Sequence, residues 1–210
     1  MGGTFDPIHF GHLNLLLGAK SSLKLNKIII VPNSNPFYKV KTSSFKHVKE
    51  MLNIAIDNKA DISISNIESD SNKKHYTYNS LKNIVLDKKN VEYFLLIGSD
   101  HSKSFQTWFE PKKILDLVNL VIVDRPGYSS DIMNLLKINK LFKRQLKYKS
   151  LIVNYNKINK KKIIRLTLKK NVEISSTDIR EAFKSFNEEM ILKLIPKKIY
   201  EYIIKNGLYK

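Results

Sequence analysis

Gly2-Gly3-Thr4-Phe5-Asp6-Pro7-Ile8-His9-Phe10-Gly11-His12 leads straight into the apolar-periodic run Leu13-Asn14-Leu15-Leu16-Leu17-Gly18-Ala19. This passage from loop to helix decides how the rest of the chain is read. Paired glycines let the backbone turn tightly and approach a ligand closely, and a helix that starts just after them aims its unpaired N–H groups at whatever lies there. The place suits an anion. His9 and His12 stand three apart, so in a first helical turn both imidazoles project from one side, beside the positive end of the helix dipole, with Gly11 keeping the space between them open. Two histidines at this spacing also fit a zinc pair or a satisfied core pair. Against zinc stand the absence of cysteine and of a third or fourth ligand nearby at a usual spacing. Against a buried pair stand the surrounding glycines, proline and aspartate, which suit a loop.

The 210 residues suffice for one well-buried core, and 1–210 reads as a single domain without internal repeats. The longest apolar runs, 27–31 and 94–97, are too short to span a bilayer, and no signal-peptide pattern precedes the glycine loop. A cytoplasmic protein is expected. The absence of cysteine excludes a disulfide framework and a thiolate nucleophile. A formal charge of +18 suggests a nucleic-acid partner, yet the lysines are spread along the chain among Asn and Ile. The densest part, 137–170 with Lys160-Lys161-Lys162, reads as a solvated face or insertion, since no stacking-aromatic or helix-turn-helix pattern lies beside it.

Strand and helix patterns alternate, which points to an α/β fold with a parallel sheet. The run 27–31 is a buried strand stopped by Pro32, and Ser44 caps a predicted helix over 45–57 with Phe45, Val48, Met51, Leu52, Ala55 and Ile56 on one stripe. A strand is expected over 62–67, a helix over 78–87 with Leu81, Ile84 and Val85 inward, and a strand at 92–97 ending on Gly98-Ser99-Asp100. Pro111 opens a helix with Ile114, Leu115 and Val118 inward; 120–123 is a strand closed by Arg125-Pro126-Gly127. The region 131–159 is the least legible, with a helix through Leu136 and a strand at 151–155. After a strand over 163–168 come two or three short helices finishing at Gly207, which suits a C-cap. Loops that follow strands lie at the carboxyl edge of such a sheet, where ligands bind, so 33–39, 98–100 and 125–127 are expected to converge with the glycine loop.

A second motif, Ile174-Ser175-Ser176-Thr177-Asp178-Ile179-Arg180, has a capping residue at Ser176 or Thr177 and puts Arg180 one turn inside the helix, on the side that meets an anion bound at its start. The first string resembles the HxGH signature of the nucleotidyltransferase superfamily in the form GGTFDPxHxGH, and the second is similar to the family's ISSTxIR motif. Together they resemble the bacterial nicotinate-nucleotide adenylyltransferase family. Gly98-Ser99-Asp100 and Phe105-Gln106-Thr107-Trp108-Phe109 resemble its GxD and TWY-like segments, Tyr76-Thr77 its YT element, and 194–209 its C-terminus. The similarity runs along essentially the whole chain.

The resemblance implies a Rossmann-like doubly wound parallel sheet with a small helical C-terminal part at about 174–210. It also implies transfer of AMP from ATP to nicotinate mononucleotide, giving nicotinate adenine dinucleotide and pyrophosphate. His9, His12 and Arg180 are implied as catalytic. Gly2, Gly3, Thr4, Phe5, Gly11, Ser175, Ser176 and Thr177 join them around ATP, and Lys39, Tyr76, Thr77, Gly98, Asp100, Trp108, Phe109 and Arg125 around the mononucleotide. Trp108, the single tryptophan, is either a core anchor or a face on which the pyridine ring stacks. Mg²⁺ is expected to ride on phosphates and water, with no dedicated carboxylate cage.

Three alternatives stay open: a nicotinamide-mononucleotide or dual-specificity enzyme, the less fitting pantetheine-phosphate adenylyltransferase, and a basic nucleic-acid-binding module. Whether copies form a homo-oligomer is also open. Two features depart from the family. An apolar strand normally precedes Gly-Gly, where this chain has only Met1, so a start truncated by a few residues is expected. Val48 stands where arginine is common, with Lys46 or Lys49 as substitutes on other helical faces.

Overall fold

The glycine pair at the start is itself a strand. In the computed structural model, which describes residues 1–37, 42–57, 59–86, 90–124, 142–148 (backbone only), 150–168 and 174–210, β1 (Gly2–Gly3) runs parallel to β2 (Ile28–Pro32), with Gly2 opposite Val31 and Gly3 opposite Pro32. The pairing continues on both sides of β1. The Met1 ammonium donates to the Ile29 carbonyl at 2.8 Å, the Val31 N–H to the Met1 carbonyl at 2.9 Å, and the Asn33 N–H to the Gly3 carbonyl at 2.9 Å. On its other edge β2 pairs in parallel with β3 (Ile62–Ile64), Ile28 opposite Ile62.

Parallel neighbours need a crossover, and two helices supply it. α1 (Phe10–Leu23) links β1 to β2 and buries Leu15, Leu16 and Ala19. α2 (Phe45–Ile56) links β2 to β3; the Ser44 side chain accepts the His47 N–H, and Val48, Met51, Leu52 and Ile56 form the buried stripe. Val48, where the resemblance leads one to expect arginine, is fully buried. Packing occupies that position here. The strand expected over 62–67 stops at Ile64 because the chain turns soon after, the Ser69 N–H donating to the Asn66 carbonyl.

The chain divides into two compact units, 1–74 with 172–210, and 75–171. The first closes with α5 (Ser176–Lys184), α6 (Glu188–Leu194) and α7 (Lys197–Lys205), which bury Ile179, Ala182, Phe183, Ile191, Ile199 and Ile203. The C-cap is Asn206, and Gly207 follows it at φ +62°, the left-handed conformation that glycine adopts without a Cβ penalty.

In the second unit β4 (Phe94–Gly98), β5 (Asn119–Val123) and β8 (Lys162–Leu166) are parallel, while β7 (Leu151–Asn156) and β6 (Phe142–Tyr148) continue the sheet antiparallel, in the order β4-β5-β8-β7-β6. The parallel part is as expected. Within 137–170 the strands expected over 151–155 and 163–168 are present as β7 and β8, and β6, a strand the composition hides, pairs beside β7 and extends the sheet. α3 (Thr77–Leu86) and α4 (Pro111–Leu117) belong to the same unit. Its core joins Leu95, Ile97, Phe105, Ile114, Leu115, Val118, Leu120, Ile122 and Ile163, with Leu81, Val85 and Trp108 packed against it. The turn at 125–127 and the helix through Leu136 lie outside the described residues. Among the described residues no helix is long and apolar enough to cross a membrane.

Candidate active site

Between β1 and α1 the loop wraps a ring. Phe5 turns through φ +49° and is fully buried, and its ring lies so close to Gly3 that a Cβ there would stand 3.0 Å from Phe5 Cζ. That is the physical need for the second glycine. Phe5 meets the His12 imidazole edge-on, centroids 5.0 Å apart. His9 is the N-cap of α1: its Nδ1 accepts the His12 N–H at 3.3 Å, and the two imidazoles stack with centroids 3.7 Å apart. The expectation that both rings lie on one side of the first turn holds. The reading of a loop rather than a buried pair holds for the backbone, since His9 precedes α1, and not for burial, because His9 is only 1% exposed. Thr4, Gly11 and His12 are half-buried.

The second motif comes to this same loop. Ser175, one residue before the expected cap, is the N-cap of α5 and accepts the Asp178 N–H at 3.1 Å. Ser176 is thereby freed to donate to the Pro7 carbonyl at 3.0 Å. Arg180 donates through Nη1 to the Asp6 carbonyl at 2.7 Å and through Nη2 to Thr177 Oγ1 at 3.2 Å. Residues separated by about 170 positions thus line one loop, with helix N-termini, imidazoles and a guanidinium around it. Such a group of donors and positive dipole ends can hold and polarise phosphate.

Asp6, to which the motif assigns no role, is the hub of the loop. Its side chain is buried. Oδ2 accepts from the Thr42 N–H at 2.9 Å, Thr42 Oγ1 at 3.0 Å and the Ser43 N–H at 3.2 Å, while Oδ1 accepts from the Tyr209 hydroxyl at 2.6 Å. Burial alone would raise the carboxyl, but the hydrogen bonds from Tyr209, Thr42 and Ser43 outweigh it and hold Asp6 below its ordinary 3.8. Burial, then the Asp6 charge, push the Tyr209 phenol well up. Among the described residues no group of three or more His, Asp or Glu could hold a metal ion.

The described residues expected around the mononucleotide belong to the second unit. Tyr76 precedes α3, its carbonyl accepting the Asn79 and Ser80 N–H groups, and Thr77 is the first helical residue. Tyr76 and Phe109 bring their rings to 4.6 Å and Tyr78 lies 6.3 Å from Phe109. Trp108 packs 5.0 Å from Phe105 and 6.3 Å from His101, half-buried, so it anchors the core with part of its surface left open. Gly98 ends β4 opposite Val123, and Asp100 lies in the short 3-10 turn that follows. Sequence reading also missed Asp124, just past β5, whose carboxylate takes both bonds from Arg165 Nε at 2.9 and 3.0 Å and one from Thr167 Oγ1 at 2.6 Å. Lys39 and Arg125 lie outside the described residues.

A glycine loop opening a helix after a parallel strand, met by a C-terminal arginine helix, is the arrangement of a nucleotidyltransferase, and residues 1–182 match the family model described as cytidylyltransferase-like. A Clostridium botulinum protein (strain Alaska E43) named "Probable nicotinate-nucleotide adenylyltransferase" is 39% identical over all of this chain and 96% of its own length. A relative of the same name from Clostridium tetani is 35% identical with the same coverage. The fold is that of Plasmodium falciparum nicotinic acid mononucleotide adenylyltransferase, solved in complex with NaAD: TM-score 0.76 at 24% identity, over 99% of this chain and 94% of that one. The chain belongs to the cytidylyltransferase-like family and, within it, to the nicotinate-nucleotide adenylyltransferases.

Proposed function

We propose that the chain joins ATP to nicotinate mononucleotide with the first unit's loop as the seat of the ATP phosphates. A phosphate oxygen of the mononucleotide attacks the α-phosphorus of ATP, the bond to the β-phosphate oxygen breaks, and nicotinate adenine dinucleotide and pyrophosphate result. The attacking oxygen is already anionic, so the protein supplies position and charge stabilisation rather than a nucleophile of its own. In this reading His9, His12 and Arg180 face the charge that develops on the α- and β-phosphates. Gly2, Gly3, Thr4, Phe5 and Gly11 shape the cradle, and Ser175, Ser176 and Thr177 supply polar groups at the start of α5. The observation that carries the reading is the meeting of the two motifs, Ser176 on the Pro7 carbonyl and Arg180 on the Asp6 carbonyl.

For the mononucleotide we assign Tyr76, Thr77, Gly98, Asp100, Trp108 and Phe109, together with Lys39 and Arg125. Thr77 opens a helix, so its N–H has no intrahelical acceptor, and a neutral donor there favours the nicotinate carboxylate over the amide. Mg²⁺ suits a site of this chemistry when held by the substrate phosphates, since both Asp6 oxygens are taken by protein donors. When bound, it neutralises phosphate charge. The family match spans residues of both units, which supports reading 1–210 as one nucleotidyltransferase domain. ATP and a mononucleotide as substrates suit a cytoplasmic enzyme. The test is pyrophosphate release from Mg-ATP with nicotinate mononucleotide beside nicotinamide mononucleotide. A strong preference for the acid is expected; equal rates would make the enzyme dual-specific, and no release with either would refute the assignment.

A further inference from the structure

Arg180 is oriented by the loop it serves. One of its nitrogens is on the Asp6 carbonyl, and the direction of that carbonyl follows the peptide plane after Asp6. That plane is held in turn by the Asp6 carboxylate, which ties the loop to Thr42 and Ser43 before α2 and to Tyr209 at the far end of the chain. The Tyr209 hydroxyl is the single donor to Oδ1 among these contacts, at 2.6 Å across 203 positions.

The same circuit closes through α5. Arg180 and Phe183 stand three apart, one turn along the helix on neighbouring positions of one face. Phe183 lies 5.8 Å from the Tyr209 ring at 48° and stacks 5.8 Å from Tyr200 at 20°. Helix α5 therefore offers its arginine to the loop and its phenylalanine to the tyrosine that fixes that loop. The backbone around Tyr209 is bent to this end: Gly207 lies at φ +62° and Tyr209 itself at φ +65°, a region that side chains other than glycine's adopt at a cost and keep only where surrounding contacts impose it.

We propose that Tyr209 is a positioning residue for the adenylyl transfer, fixing Asp6 so that the Asp6 carbonyl aims Arg180 at the phosphates. This rests on the reading of the loop as the ATP phosphate site. A phenol and a carboxylate that respectively donate and accept across a wide pH range make this a permanent strut, so the effect is sought in rates and geometry and not in a pH switch. Positioning errors of about 1 Å cost on the order of a hundredfold in rate, and loss of one strut is expected to cost about tenfold.

Tyr209→Phe keeps the ring against Phe183 and removes only the hydroxyl. The expected result is a kcat lowered about tenfold, with KM for nicotinate mononucleotide unchanged and a melting profile of folded protein. In an Arg180→Ala background the same change should lower kcat by less than about twofold, because the two residues act through one path. Equal losses in both backgrounds would reveal a general structural role and overturn the proposal, as would a wild-type kcat in Tyr209→Phe.

A readout without turnover separates this from the functional assignment: the guanidinium ¹⁵N–¹H resonance that disappears in Arg180→Ala. It should be sharp in the wild type and shifted or broadened in Tyr209→Phe. If it is unchanged, Tyr209 does not position Arg180, whatever the enzyme's substrate. If it responds while the wild type releases no pyrophosphate, the strut stands and the assigned reaction falls.

Discussion

His9 and His12 share one hydrogen bond and one stack: His9 Nδ1 accepts the His12 N–H at 3.3 Å, and the two rings lie 3.7 Å apart. The first histidine is therefore spent partly on structure. It caps α1 and forms a wall for the second, whose ring is half-buried and also meets Phe5 edge-on. The two members of the motif are not equivalent in what their removal should do.

Replacing His12 with Ala is expected to lower kcat by roughly a hundredfold or more, the loss seen when one donor to developing oxyanion charge is removed. Stability should change little. His9→Ala should lower both, since an N-cap contributes about 1 kcal/mol. His9→Asn restores a capping acceptor without an imidazole. It should recover the melting temperature of the wild type while leaving turnover low; recovery of turnover together with stability would confine His9 to capping.

Gly3 and Gly2 should differ although they are adjacent. A Cβ on Gly3 would meet Phe5 Cζ at 3.0 Å and two further ring carbons within 3.3 Å, whereas on Gly2 its nearest neighbour is the Val31 carbonyl oxygen at 3.9 Å. The Phe5 ring is fully buried and has little room to retreat. Gly3→Ala is expected to destabilise by about 1–3 kcal/mol, the usual cost of overpacking, and Gly2→Ala by no more than about 0.5 kcal/mol. Urea unfolding of the two variants gives the comparison. Equal midpoints would mean that the Phe5 ring can move out of the way.

Arg180 uses two nitrogens at once, on the Asp6 carbonyl and on Thr177 Oγ1. A lysine carries the same charge as a single point and cannot reproduce that fork. Arg180→Lys is therefore expected to lose about tenfold or more in kcat and Arg180→Ala about a hundredfold. Single-turnover rates with saturating ATP separate this from weaker binding. A near-wild-type rate in the lysine variant would show that charge suffices without orientation.

What the sequence disclosed is what local chemistry encodes. Ser44 before a stripe of Val48, Met51, Leu52 and Ile56 gives α2 almost to the residue. The glycine loop and the Ser175–Arg180 stretch carry their helix starts in their own caps. β6 is different: Lys143, Arg144, Gln145 and Lys147 are poor strand formers, and the strand exists because β7 pairs with it, Phe142 opposite Asn156 and Tyr148 opposite Leu151. Asp6 was illegible for a related reason. A carboxylate beside a proline reads as an ordinary turn residue, and its partners at 42, 43 and 209 carry no local mark that they will meet it. His9, read as a loop residue from its neighbours, lies in that loop as the cap of α1 yet is buried.

Acid should expose the strut on Asp6. Burial tends to raise this carboxyl, yet the bonds from Tyr209, Thr42 and Ser43 hold it below 3.8 in the folded chain. In the unfolded chain it titrates near its ordinary value, so between the two the unfolded state binds more protons and stability rises with pH. The stabilisation is fully present above the unfolded value and is lost as pH falls through the lower, folded one. Asp61, bonded by Lys20, and Glu92, bonded by Lys162, shift in the same direction, so the wild-type curve alone cannot single out Asp6. Asp6→Asn can. With fewer acceptors for its four donors, it should be less stable by about 1–3 kcal/mol at pH 7. That deficit should hold down to about pH 5 and shrink below about pH 4, as the wild-type carboxylate becomes protonated. Urea midpoints for both proteins from pH 7 to pH 3 measure the gap; a gap constant across that range would mean that the Asp6 charge contributes nothing to the fold.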